Sequence, residues 1–167
     1  IKRDLSEREL IRRLNNDVLR PFWAKERLQI EFATIKSIIS ETTIPVPECQ
    51  LYIKDGHLHL ETKRITNGVL LEDIEEASRP AAVTAVNEQI NSTIPLQLRS
   101  PRRNYIGSVD TNDCFVLCHN DFGSQNIFVR PETFEIIGII EWEFAGFSPP
   151  YFELPLWRVC SGGPAVD

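Results

Sequence analysis

Apolar and polar positions alternate with several distinct rhythms along this chain. From Trp23 to Ser40 the residues Leu28, Phe32, Ile35 and Ile39 recur at i, i+4, i+7 and i+11, the stripe of an amphipathic helix. Ile44-Pro45-Val46-Pro47 ends that helix and forces extended backbone, because each proline restricts the residue before it. Leu51–Ile53 and His57–Glu61 read as two short strands, joined by Lys54-Asp55-Gly56, whose Asp-Gly is a hairpin turn signal. His57 and His59 alternate with Leu58 and Leu60, which predicts exposed strand residues rather than a metal pair. Leu71–Glu76 is acidic and predicts the start of a helix. Pro80 in a first turn predicts another, carried by Ala81, Ala82, Val83, Ala85, Val86 and Ile90 and ended or kinked at Pro95. Near the start, Ile1-Lys2-Arg3 reads as the tail of a strand. Leu5–Arg20, with Leu10, Ile11, Leu14 and Leu19 scattered among charges, predicts a short helix that Asn15-Asn16-Asp17 weakens and Pro21 interrupts.

Between Phe115 and Gly146 the pattern changes character. Apolar runs at Phe115–Leu117, Ile127–Val129 and Ile136–Ile140 enclose polar groups for which a simple core has no use. Asp121, Gly123, Ser124, Gln125 and Asn126 form a turn-rich loop pinned by strands at both ends, so Asp121 and Asn126 can point into one cleft. A carboxylate there can orient a hydroxyl and accept its proton. The amide oxygen of Asn126 and the carboxylate of Glu141 are hard oxygen ligands of the kind Mg²⁺ takes. The bland alternative is a tight turn in which Asp and Asn satisfy backbone groups. The spacing H-x-D-x-x-x-x-N is that of the protein-kinase catalytic loop, with Asn120 where protein kinases carry Arg.

LCHNDFGSQNIFV followed by IIGIIEWEFAG resembles the aminoglycoside phosphotransferase and choline kinase family, in particular its fungal aminoglycoside-phosphotransferase-domain proteins. The resemblance is tight over His119–Gly146 and looser elsewhere, in EFATIKSIISETTIPVPE, LHLETKRITNGVLLED, the Arg99–Asp113 connection and FSPPYFELPLW. It implies an α+β, protein-kinase-like two-lobe fold, with residues 1–65 a partial N-lobe and 66–167 a partial helical C-lobe. It also implies a chain incomplete at both ends, lacking the first strands and the glycine loop that covers the phosphates. None of Gly56, Gly68 and Gly107 belongs to a G-x-G-x-x-G pattern.

The activity implied is transfer of the ATP γ-phosphoryl group to a hydroxyl of a small molecule, with ATP and Mg²⁺ as cofactors. Asp121 would orient the acceptor, and Asn126 and Glu141 would hold Mg²⁺. Lys2, paired with Glu31, would position the phosphates; without the resemblance, Glu31 reads equally as a solvent-edge helix charge. Thr62, Lys63, Arg64 and Ile65 would form the hinge that takes the adenine edge through backbone groups. His119, Glu143 and Glu153 would support the loop. Glu141 is a departure, since the family has Asp there and the extra methylene moves the carboxylate by roughly 1.5 Å in a site where Mg²⁺ demands near-octahedral geometry. That departure keeps two other readings open: an inactive pseudokinase-like binding or scaffold protein, and a metabolite-binding domain in which Glu143 and Asp121 recognise a cationic or hydroxylated ligand.

Composition narrows the partners. With 167 residues, 42% hydrophobic and 25% charged, the chain has ordinary globular values. A net charge of −6 and a pI near 5.2 argue against nucleic acid. Arg99, Arg102 and Arg103 read as a solvated turn. No apolar stretch is long enough for a membrane span, and no signal peptide opens the chain, so a cytoplasmic protein with no membrane partner is expected. Cys49, Cys114, Cys118 and Cys160 lack C-x-x-C spacing, and Cys114 and Cys118 read as small hydrophobes flanking a strand. Phe152 and Trp157 read as core.

Overall fold

The chain builds α1 at Ala24–Glu41, as its apolar period requires, but the helix is rotated from the expected stripe. Leu28, Glu31, Thr34, Ile35 and Ile38 are buried, whereas Ile39 is exposed. The buried face therefore carries a carboxylate at its centre, and the solvent-edge reading of Glu31 does not hold. The structure is a computed structural model describing residues 1–15, 17–19, 21–98, 115–149 and 152–158, with backbone alone at 93, 95–98 and 157. The Arg99–Asp113 connection, its arginines, Cys114, Cys160 and the Trp157 side chain lie outside those described residues.

Against α1 lies a three-stranded antiparallel sheet of β1 (Lys2–Arg3), β5 (His57–Thr62) and β4 (Cys49–Lys54), in that order. Leu60 faces Lys2 on one side and Leu51 on the other, and it is fully buried. The β4–β5 turn is the Asp-Gly one expected, with positive φ at both Asp55 and Gly56. The histidines differ from expectation: His57 lies beside the buried Asp4, and His59 stacks on Tyr52 with ring centroids 5.3 Å apart. Both are half-buried rather than exposed.

Leu5–Arg20 forms no helix among its described residues. A turn at Glu7–Glu9 leads into β2 (Ile11–Arg12), paired with β3 (Val18–Leu19). The reason is local: Asn15 accepts from the Asp17 backbone at 3.2 Å and donates to its carboxylate at 2.7 Å. Such side-chain bonds compete with helical ones.

The rest of the chain packs β6 (Val69–Leu70), β8 (Ile127–Val129) and β9 (Ile136–Ile139) into a second antiparallel sheet, and pairs β7 (Val116–Cys118) with β10 (Gly146–Ser148). Leu71–Asp73 is a single 3₁₀ turn, not the start of a helix. The following helix, α2, spans Arg79–Leu98 and runs through Pro95 instead of ending there. Its core face is Ala82, Val86, Ile90 and Ile94. Gln89 ties α2 to the β8–β9 hairpin, accepting from Ile136 N–H and donating to Phe134 O. Gly68 lies so close to β8 that a Cβ would fall 2.8 Å from the Val129 carbonyl oxygen.

The two sheets share one core. Ile139 N–H donates to Pro45 O at 2.9 Å, so the proline-stiffened segment after α1 docks on β9. Phe152, expected in the core, is exposed. Mixed helix and sheet make the chain α+β. Among the described residues no helix is long and apolar enough to cross a membrane.

Candidate functional site

The polar loop between β7 and β8 is held by its own side chains. His119 is buried, its Nε2 2.7 Å from Ile140 O and its Nδ1 3.3 Å from the Asp121 N–H. Those partners set one tautomer, with Nε2 donating and Nδ1 accepting. Burial lowers the His119 pKa below its ordinary value, which keeps the ring neutral and able to accept. Asn120 takes φ 64°, a left-handed conformation that Asn tolerates, and donates to Phe144 O at 2.9 Å. Glu153 accepts from the backbone N–H groups of His119 and Asn120, one on each carboxylate oxygen. Burial raises its pKa, although both amides pull the other way.

Asn126 closes the loop. Its Nδ2 donates to Asp121 O at 2.8 Å and to Asp121 Oδ2 at 3.1 Å. The amide oxygen is thereby turned away as the free acceptor of a buried side chain. Ile140 N–H donates to Asn126 O at 3.0 Å, which sets Glu141 next to the loop.

Glu141 also takes a left-handed conformation, φ 65° and ψ 46°, and precedes a 3₁₀ turn at Trp142–Phe144. For a glutamate this conformation costs about 1–2 kcal/mol, and it persists only where the surroundings over-determine it. Trp142 supplies part of that, buried and donating from Nε1 to Ile139 O at 3.0 Å. Lys2 Nζ lies 2.7 Å from Glu141 Oε2 and 2.7 Å from Glu31 Oε2. Burial alone would lower the Lys2 pKa, but bonds to Glu141 and Glu31 outweigh it and raise it. Glu31 is itself raised by burial, against the pull of Lys2, with Glu141 and Glu143 adding to the rise. Arg27, one helical turn before Glu31, pairs with Glu143 and lies 4.6 Å over the Phe144 ring.

Thr62, Lys63, Arg64 and Ile65 line a cleft of about 420 Å³ together with Pro47, Phe128 and Ile140. Ile65 packs over Gly138, where an added Cβ would collide with the Ile65 Cδ1.

The structure thus gathers Lys2, Glu31 and Glu141 at one point and His119, Asp121, Asn126 and Glu153 at the adjoining loop, with the 62–65 segment on a neighbouring cleft. Glu143 is spent on Arg27, so it does not stand free for a cationic ligand. Sequence reasoning missed Arg27, and the signal was its position four residues before Glu31 on the same helical face. Asn126 and Glu141 suit Mg²⁺ in donor chemistry. Among the described residues no group of three or more His, Cys, Asp or Glu could hold a metal.

Residues 108–165 match the model of the phosphotransferase enzyme family. The match takes in Asp121, Asn126, Glu141, Glu143 and Glu153, and it supports a kinase-like family and a phosphotransferase-type function. No curated protein and no solved structure gives a significant match.

Proposed function

We propose that the chain is a phosphotransferase-type domain with a kinase-like, two-lobe fold that moves the ATP γ-phosphoryl group to a hydroxyl of a small molecule. The observation that carries this reading is the convergence on Lys2: one ammonium joins the first strand, the buried glutamate of α1 and the acid that follows β9. A structural turn has no need of that connection.

On this reading Asp121 orients the acceptor hydroxyl and takes its proton as the oxygen attacks. Asn126, whose amide nitrogen is committed to Asp121, offers its oxygen to Mg²⁺, and Glu141 offers a carboxylate. The bound cation supplies charge neutralisation for the β- and γ-phosphates. Lys2 holds phosphate oxygens and stays oriented by Glu31. Neutral His119 and the Glu153 carboxylate keep the loop in shape. Thr62–Ile65, which line the neighbouring cleft, would take the adenine edge. Such catalysis is mostly positioning and charge stabilisation.

The test is Mg²⁺-dependent ADP release across a panel of small hydroxyl compounds, with Asp121→Asn alongside. Release that depends on an acceptor and disappears in the variant supports the proposal. Release unchanged in Asp121→Asn contradicts it. Nucleotide binding without transfer to any acceptor favours the inactive, pseudokinase-like alternative.

A further inference from the structure

The 141–144 segment raises a question that the proposed mechanism leaves open: what keeps Glu141 in its left-handed conformation. Trp142 anchors one side of the turn, and Asn120 holds Phe144 O. The remaining support comes from α1. Arg27 donates to Glu143 and sits over the Phe144 ring, 4.6 Å from its centroid, so a single guanidinium contacts two of the three residues in the 3₁₀ turn. Glu31, four residues later, reaches Glu141 through Lys2. Two ionic links therefore leave one face of α1, a turn apart, and both end on the segment 141–143.

We propose that Arg27 is a positioning residue for Glu141. It acts through Glu143 and Phe144, and touches neither substrate nor cation. The inference deepens the metal reading given above and rests on it. Charge supports it as well as geometry: among the described residues, Glu31 and Glu141 share Lys2 while Glu143 takes Arg27, so three carboxylates meet two cations at the point where a metal ion is expected. Without Arg27, Glu143 becomes a second uncompensated carboxylate, and the turn loses both its ionic clamp and the cation held over Phe144. Glu143 is then free to take Lys2 from Glu141, and the Glu141 carboxylate is no longer fixed.

The experiment uses Arg27→Met and the charge-reversed pair Arg27→Glu/Glu143→Arg. Mn²⁺ alone is the probe, followed by electron paramagnetic resonance, and backbone hydrogen exchange is read over residues 141–146. Arg27→Met is expected to speed exchange in that segment and weaken Mn²⁺ binding about tenfold, the scale for groups that orient metal ligands. The reversed pair is expected to recover part of both. Faster exchange with unaltered Mn²⁺ affinity would reduce Arg27 to a structural contact and overturn the proposal, as would unaltered exchange. If the unsubstituted chain takes up no Mn²⁺, the metal reading itself fails, and the part assigned to Arg27 fails with it.

Discussion

Lys2 Nζ and Glu141 Oε2 lie 2.7 Å apart, a contact that closes the chain across 139 residues. The same ammonium holds Glu31, whose side chain is only 3% exposed. Charge at this point is therefore shared among three elements, and each substitution there has a separable consequence.

Lys2→Met leaves Glu31 buried without its cation. Breaking a buried pair costs about 3–5 kcal/mol, and the loss here should be about 2–3 kcal/mol because the lysine is partly exposed. Urea unfolding measures it. Lys2→Met/Glu31→Leu should recover most of the loss, since the penalty lies in the orphaned charge; no recovery would show that the pair is not its source.

Glu141→Gly and Glu141→Asp separate backbone from chemistry. Glycine adopts φ 65° without strain, so relief of up to about 1 kcal/mol offsets the lost Lys2 contact, and unfolding free energy should change by less than about 1 kcal/mol. Metal affinity should vanish. Aspartate keeps the carboxylate and shortens its reach, and is expected to tighten Mg²⁺ binding in calorimetry. Equal Mg²⁺ affinity in all three forms would remove Glu141 from the site.

Much of this arrangement was legible in the chain. The α1 period, the proline stop and the Asp-Gly hairpin are local signals, and local chemistry decides them. The rotation that buries Ile38 in place of Ile39 was not legible, because it depends on what α1 packs against. The pairing of Arg27 with Glu143 spans 116 residues and leaves no periodic trace. Leu5–Arg20 misled for a different reason: its apolar residues fit a weak helix, but Asn15 and Asp17 bond each other into a turn first. Of the candidate site, the loop residues could be named from spacing, while the part Glu143 plays depends on a partner in a distant helix.

Stability should depend on pH through His119. Its folded pKa lies below the ordinary 6.5, so below that value the unfolded chain binds a proton that the folded chain refuses. Its contribution is whole above about pH 7 and is lost as pH falls through the unfolded value. Glu31 and Glu153 act oppositely: their raised pKa values favour folding at low pH, and that contribution is lost as pH rises through the folded values. His119→Gln should flatten the loss of stability that sets in as pH falls below about 6.5 in urea unfolding. An unchanged slope would place the titrating group elsewhere.

Glu153→Gln removes a carboxylate that receives two backbone N–H groups. Hydrogen bonds to charged groups contribute about 1.5–3 kcal/mol, and Gln keeps one acceptor oxygen, so a loss of about 1–2 kcal/mol is expected. Hydrogen exchange at the His119 and Asn120 amides should quicken. Protection unchanged at both amides would contradict this role.

The most direct test of the account is calorimetric titration of ATP into the chain with and without Mg²⁺, beside Asn126→Ala. Binding that requires Mg²⁺ and is lost in the variant is the predicted result. ATP binding indifferent to Mg²⁺ and to Asn126, or no binding under any condition, would contradict a nucleotide–metal site at the Asp121–Asn126 loop.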